Sequence, residues 1–63
     1  MPKYDISVSP VDGNAFSIMG AVSSAIRSAG ATQEEVEQYL ADSTSGDYNN
    51  LLRVAMEWVD IQA

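Results

Sequence analysis

Two acidic residues stand where chemistry could begin. Asp12 and Asp47 each open a polar turn, the first leading to Asn14 and the second to Asn49 and Asn50. Two carboxylates held close together can divide the roles of general acid and general base. That pairing requires the two turns to meet in space. Each Asp also has a simpler use, as a helix cap that accepts a hydrogen bond from an orphan backbone N–H. Capping accounts for both fully. The chain has no cysteine and no histidine. It therefore lacks thiolate and imidazole ligands, and the usual general base near neutral pH.

Calcium is tested by the run from Asp42 to Asp47, Asp-Ser-Thr-Ser-Gly-Asp. With Gly46 in the glycine position of an EF-hand loop, Ala41 and Leu52 fall at the first and last ligand positions. Neither side chain can bind a cation. Anions are disfavoured at the helix starts, which Asp12 and Asp47 already make negative. The reading is of a protein with no catalytic residue, no cofactor and no metal, and not an enzyme.

Nine Asp and Glu stand against three Lys and Arg, a net charge of −6. Lys3, Arg27 and Arg53 cannot form the basic face that displaces counterions from phosphates. Direct nucleic-acid binding and docking on an anionic membrane are both disfavoured. The opening MPKYDISVSP has no apolar core of signal-peptide length. No run approaches the roughly 18 apolar residues that cross a bilayer. The expected location is the cytoplasm.

The elements that position these residues begin with an alternation. Over Lys3–Ser9, Tyr4, Ile6 and Val8 share one face and Lys3, Asp5, Ser7 and Ser9 the other, which predicts a half-buried strand ended by Pro10. No equally clear second strand follows. Trp58–Gln62 is the best internal candidate, but a helical pattern already claims it through Val59. Pairing with the same segment of a second copy would satisfy the strand, and predicts a homodimer.

Three helices are predicted, over 15–29, 33–42 and 48–60. The first carries Ala15, Ile18, Met19, Val22, Ala25, Ile26 and Ala29 at helical spacing, with Asn14 as the preferred N-cap, Asp12 as the alternative, and Gly30 as its stop. Gly20, Ser24 and Ser28 make a row of small residues read as solvated surface. The second opens on a capping box, Thr32-Gln33-Glu34-Glu35. The third, capped by Asp47, spreads its apolar residues over roughly 200° of arc. A surface helix needs only about half of that, so this one is gripped on two sides or buries part of itself against another chain.

The expected core is Ile6, Val8, Phe16, Ile18, Met19, Val22, Ala25, Ile26, Val36, Leu40, Leu51, Leu52, Ala55, Trp58 and Val59. Trp58 with Met56 and Tyr48 could also form a partner-binding hot spot.

Gly13-Asn14-Ala15-Phe16, Gly46-Asp47-Tyr48, Leu51-Leu52 and Met56-Glu57-Trp58-Val59 together resemble a group of small uncharacterised bacterial proteins, some carried on phages and mobile elements. The resemblance covers about Asp12 to Val59. It implies a compact αβ domain in the cytoplasm and transfers no catalytic residue.

The combined expectation is one α+β domain spanning 1–63, an N-terminal strand followed by three helices. Its expected role is a cytosolic protein–protein interaction module that self-associates, with Tyr4, Ile6, Val8, Tyr48, Met56 and Trp58 as candidate interaction residues. The alternative is an acidic nucleic-acid mimic whose carboxylates imitate phosphates and occupy a DNA-binding protein.

Overall fold

Each helix begins where a side chain caps it. Asn14 Oδ1 accepts from the Phe16 N–H at 2.8 Å, and Asp47 Oδ1 from the Asn50 N–H at 2.9 Å. Thr32 Oγ1 accepts from the Glu35 N–H at 3.1 Å while Glu35 Oε1 accepts from the Thr32 N–H at 3.0 Å, completing the capping box. The computed structural model describes residues 2–62. Its elements are β1 (Ser7–Val8), α1 (Ala15–Ser28), α2 (Gln33–Ser43), α3 (Tyr48–Trp58) and β2 (Asp60–Ile61). The fold is α+β.

α1 stops in a Schellman turn. Ala31 N–H donates to Ile26 C=O and Gly30 N–H to Arg27 C=O, with Gly30 at φ 101°. Gly46 serves differently: a Cβ there would stand 2.9 Å from Asn50 Cβ. Its lack of a side chain lets Asn50 fold over the loop and donate to Asp42 C=O at 2.9 Å.

The N-terminal strand has a partner within the chain. β1 pairs with β2 in parallel, Ser7 opposite Asp60 and Val8 opposite Ile61. Asp60 N–H donates to Ile6 C=O and Gln62 N–H to Val8 C=O, at 2.9 and 2.8 Å. Ahead of the ladder, Lys3 and Tyr4 N–H donate to the Glu57 and Trp58 carbonyls, each at 2.8 Å. Those carbonyls have no acceptor role within their own helix. The N-terminal segment thus caps the end of α3 before it joins β2.

Two expected boundaries are corrected. The strand expected over 3–9 is regular only at Ser7–Val8, and the helix expected to reach residue 60 ends at Trp58. Val59 is extended, with φ −144° and ψ 169°, and its side chain is buried. In a strand the exposed Asp60 separates Val59 from the half-buried Ile61, an alternation that a further helical turn would break.

The core runs between all three helices. Val8, Ile18, Val22, Ile26, Val36, Leu51, Ala55, Trp58 and Val59 are buried, with Ile6, Met19, Ala25 and Leu52 packed partly buried around them. Two expected members are not core: Phe16 is 80% exposed and Leu40 lies at the surface. Phe16 sits about 160° around the helix from Ile18, off the buried Ile18–Val22–Ile26 stripe of α1. Tyr39 takes the place expected for Leu40, because its ring meets Trp58 edge-on at 5.9 Å. Val54 is also buried. Most of the wide apolar arc of α3 is covered inside the domain, where α1, α2 and β2 pack against it, while Tyr48 and Met56 stay exposed. Gly20, Ser24 and Ser28 are exposed.

Candidate interaction surface

The six candidate interaction residues separate into a buried group and two surface positions. Trp58 is 5% exposed and forms an aromatic hub. Tyr4 stacks on it at 6.2 Å and 15°, and Lys3 Nζ lies 4.6 Å from its ring centroid. Val8 is buried and Ile6 half-buried on the same face of the N-terminal segment. Trp58, Tyr4, Ile6 and Val8 therefore hold the two ends of the domain together. Met56 is exposed, beside a shallow hollow lined by Pro2, Asp5, Val59, Asp60 and Ile61. Tyr48 is exposed at the opposite end of α3.

Tyr48 is where the two Asp turns meet. Its hydroxyl donates to Gly13 C=O, which pins the Asp12–Asn14 turn to the start of α3. At this junction each carboxylate serves its own turn. Asp12 Oδ1 accepts from Asn14 N–H at 2.8 Å, and Asp47 is committed to Asn50 as its cap. Among the described residues no group of three or more metal-binding side chains converges.

The junction instead has an apolar surface. On one side of Tyr48 a groove of about 390 Å³ is lined by Pro10, Val11, Ile18, Leu52 and Ile61, together with Asp12. On the other, an open hollow of about 320 Å³ runs over Phe16, Met19 and Leu51, with Asp47 beside it. Val11 is 92% exposed. Tyr48 belongs to both depressions, so they form one continuous face. No known protein family, curated protein or solved structure matches the chain.

Val11 and Phe16 are the members of this face that the sequence reasoning missed. The signal for Val11 was its setting: a β-branched apolar side chain inside the polar turn Ser-Pro-Val-Asp-Gly-Asn. Phe16 carried a weaker signal, because it lies off the Ile18–Val22–Ile26 stripe by the helical period.

Three titrating groups, Glu35, Tyr4 and Tyr39, are shifted by their surroundings. Glu35 is held below its usual range, first by the Thr32 N–H and then by the Tyr4 hydroxyl, which donates to Oε1 at 3.0 Å. Tyr4 is pushed up by desolvation and by the adjoining carboxylate. Burial pushes the Tyr39 phenol up, and the nearby Ser43 hydroxyl offsets part of that rise. Neither hydroxyl reaches hydrogen-bond geometry with a partner among the described residues. Among those residues no helix is long and apolar enough to cross a membrane.

Proposed function

We propose that the chain is a protein–protein interaction module that works through the apolar face around Tyr48. One observation carries the reading: Val11 and Phe16 stand 92% and 80% exposed on either side of Tyr48, next to depressions lined by further apolar side chains. Large apolar side chains grouped at a surface mark binding sites, whereas single ones do not. The reading assigns no enzymatic activity and no cofactor, and the cytoplasm is its compartment.

Self-association through Lys3–Ser9 has lost its motive. The backbone of Ile6 and Val8 is paired with β2, and Tyr4 and Val8 are packed within their own chain. A second copy would have to dock on the Tyr48 face instead.

The nucleic-acid mimic is the second reading, and the placement of the acids favours it less. The Tyr4 contacts to both Glu35 and Trp58 set the start of α2 beside the end of α3. Glu34, Glu35, Glu37 and Glu57 thus gather at one end of the helix pair, with Asp42 and Asp47 at the other. A phosphate mimic needs a continuous row of charge spaced along one face.

Site-specific photocrosslinking tests the module. A benzophenone side chain at residue 11 is expected to capture a discrete protein in the cell, and the same group at residue 37 is expected to capture none. Equal capture from both positions, or none from residue 11, would overturn the assignment.

A further inference from the structure

The charge around the Tyr48 face narrows what can sit there. Asp12 is part of the lining of the groove and Asp47 of the adjoining hollow. The three cations of the chain are placed elsewhere. Lys3 lies over Trp58, Arg53 pairs with Glu57 at 3.0 Å, and Arg27 is in the last turn of α1, whose first turns border the face. Each depression is therefore mostly apolar with one carboxylate in its lining, and among the described residues no cation lines either.

A second copy fits this pattern poorly. A two-fold contact sets the same patch against itself. Asp12 and Asp47 of one copy would approach those of the other with no Lys or Arg between them, in chains that each carry −6. Like charges brought together at an interface oppose association.

Resting on the interaction-module reading, we infer that the occupant is a cationic segment of a different protein, with aliphatic or aromatic anchors. The anchors enter the groove beside Val11, Leu52 and Ile61, and the Lys or Arg side chains of the segment face Asp12 and Asp47. Both carboxylates keep acceptor capacity for this beyond their backbone bonds, because each ionised group offers about four lone-pair sites. Each is recorded using one oxygen, Oδ1, toward a backbone N–H.

Three synthetic 16-residue peptides, built from Leu and Lys, Leu and Glu, or Ser and Lys, test the inference by amide chemical-shift mapping. The Leu–Lys peptide is expected to shift the amides of residues 11–13, 48, 52 and 61, and to bind at least about tenfold more tightly than either control. Asp12→Asn with Asp47→Asn keeps an acceptor in the Asp12 turn and at the α3 cap and removes both charges. It should weaken the Leu–Lys complex by about two- to fivefold per charge and flatten its salt dependence, with the circular dichroism unchanged.

Equal binding of the Leu–Glu peptide at the same amides would overturn the charge assignment and leave the module standing. Shifts confined to Glu34 and Glu37 would overturn the location. Concentration-dependent shifts at these amides without any peptide would make a second copy the occupant and overturn the inference. Silence at this face with all three peptides, together with no crosslink from residue 11, would overturn both readings.

Discussion

At the scale of single residues, Glu35 ties the start of α2 to the N-terminal segment. One oxygen accepts from the Thr32 N–H and from the Tyr4 hydroxyl, 31 positions away in sequence. Thr32→Ala should cost about 0.5–2 kcal/mol, read from the denaturation midpoint. Glu35 titrates below its usual range when folded. Its ionised form therefore contributes stability that is present above the unfolded carboxyl pKa and is lost as pH falls through the lower folded value. Glu35→Gln should reduce the slope of stability against pH in that acidic window, and Tyr4→Phe should reduce it in the same direction. A slope unchanged in both variants would mean that the cap does not sense the charge. Gly46→Ala should cost about 1–3 kcal/mol by crowding Asn50, again read from the midpoint. Thr32, Glu35 and Gly30 were legible in the sequence because caps and stops are written in adjacent residues. The tie from Tyr4 to Glu35 was not, because no local pattern encodes a contact across half the chain.

At the scale of elements, the three helices were legible to within a residue or two, from their caps and apolar spacing. β2 was not. Val59 continues the helical period of α3, and two residues are too few for an alternation to outweigh it. What ends the helix is non-local: the amides of Lys3 and Tyr4 take the last carbonyls, and Val59 turns inward beneath them. The same limit applied to the candidate site. Tyr48 was named from the sequence, but its neighbours Val11, Ile18 and Ile61 come from three other segments. Asp60→Pro removes the N–H donated to Ile6 C=O and should free the ladder while leaving the helices folded. Hydrogen exchange should then show lost protection at the Gln62 amide with α1 still protected. Uniform loss across the chain would mean that ladder and helices unfold as one unit.

At the scale of the whole molecule, stability is small and centred on one side chain. A domain of this length holds about 3–9 kcal/mol. Truncating a buried Trp costs about 3–5 kcal/mol. Trp58→Ala should therefore leave much of the population unfolded at room temperature, visible in the far-ultraviolet circular dichroism. Val11→Ser and Phe16→Ser should each change stability by less than about 0.5 kcal/mol, because both side chains are largely in water. Sedimentation of the unaltered chain at tens of micromolar should give a monomer of 6.8 kDa; a dimer would return the Tyr48 face to a second copy.

The parallel pairing of β1 with β2 also sets how the molecule resists force. Tension applied through residues 2 and 62 draws the first strand backward and the second forward along a shared axis. The Ile6–Asp60 and Val8–Gln62 bonds are then sheared together, with the Lys3 and Tyr4 amides resisting in the same direction. Handles at residues 9 and 62 would load the same ladder from one end, breaking its bonds in sequence. Forced unfolding follows the barrier rather than the equilibrium. The molecule should therefore be mechanically stiffer along the line joining its ends than across its sheet, although its thermodynamic stability is the same in both experiments.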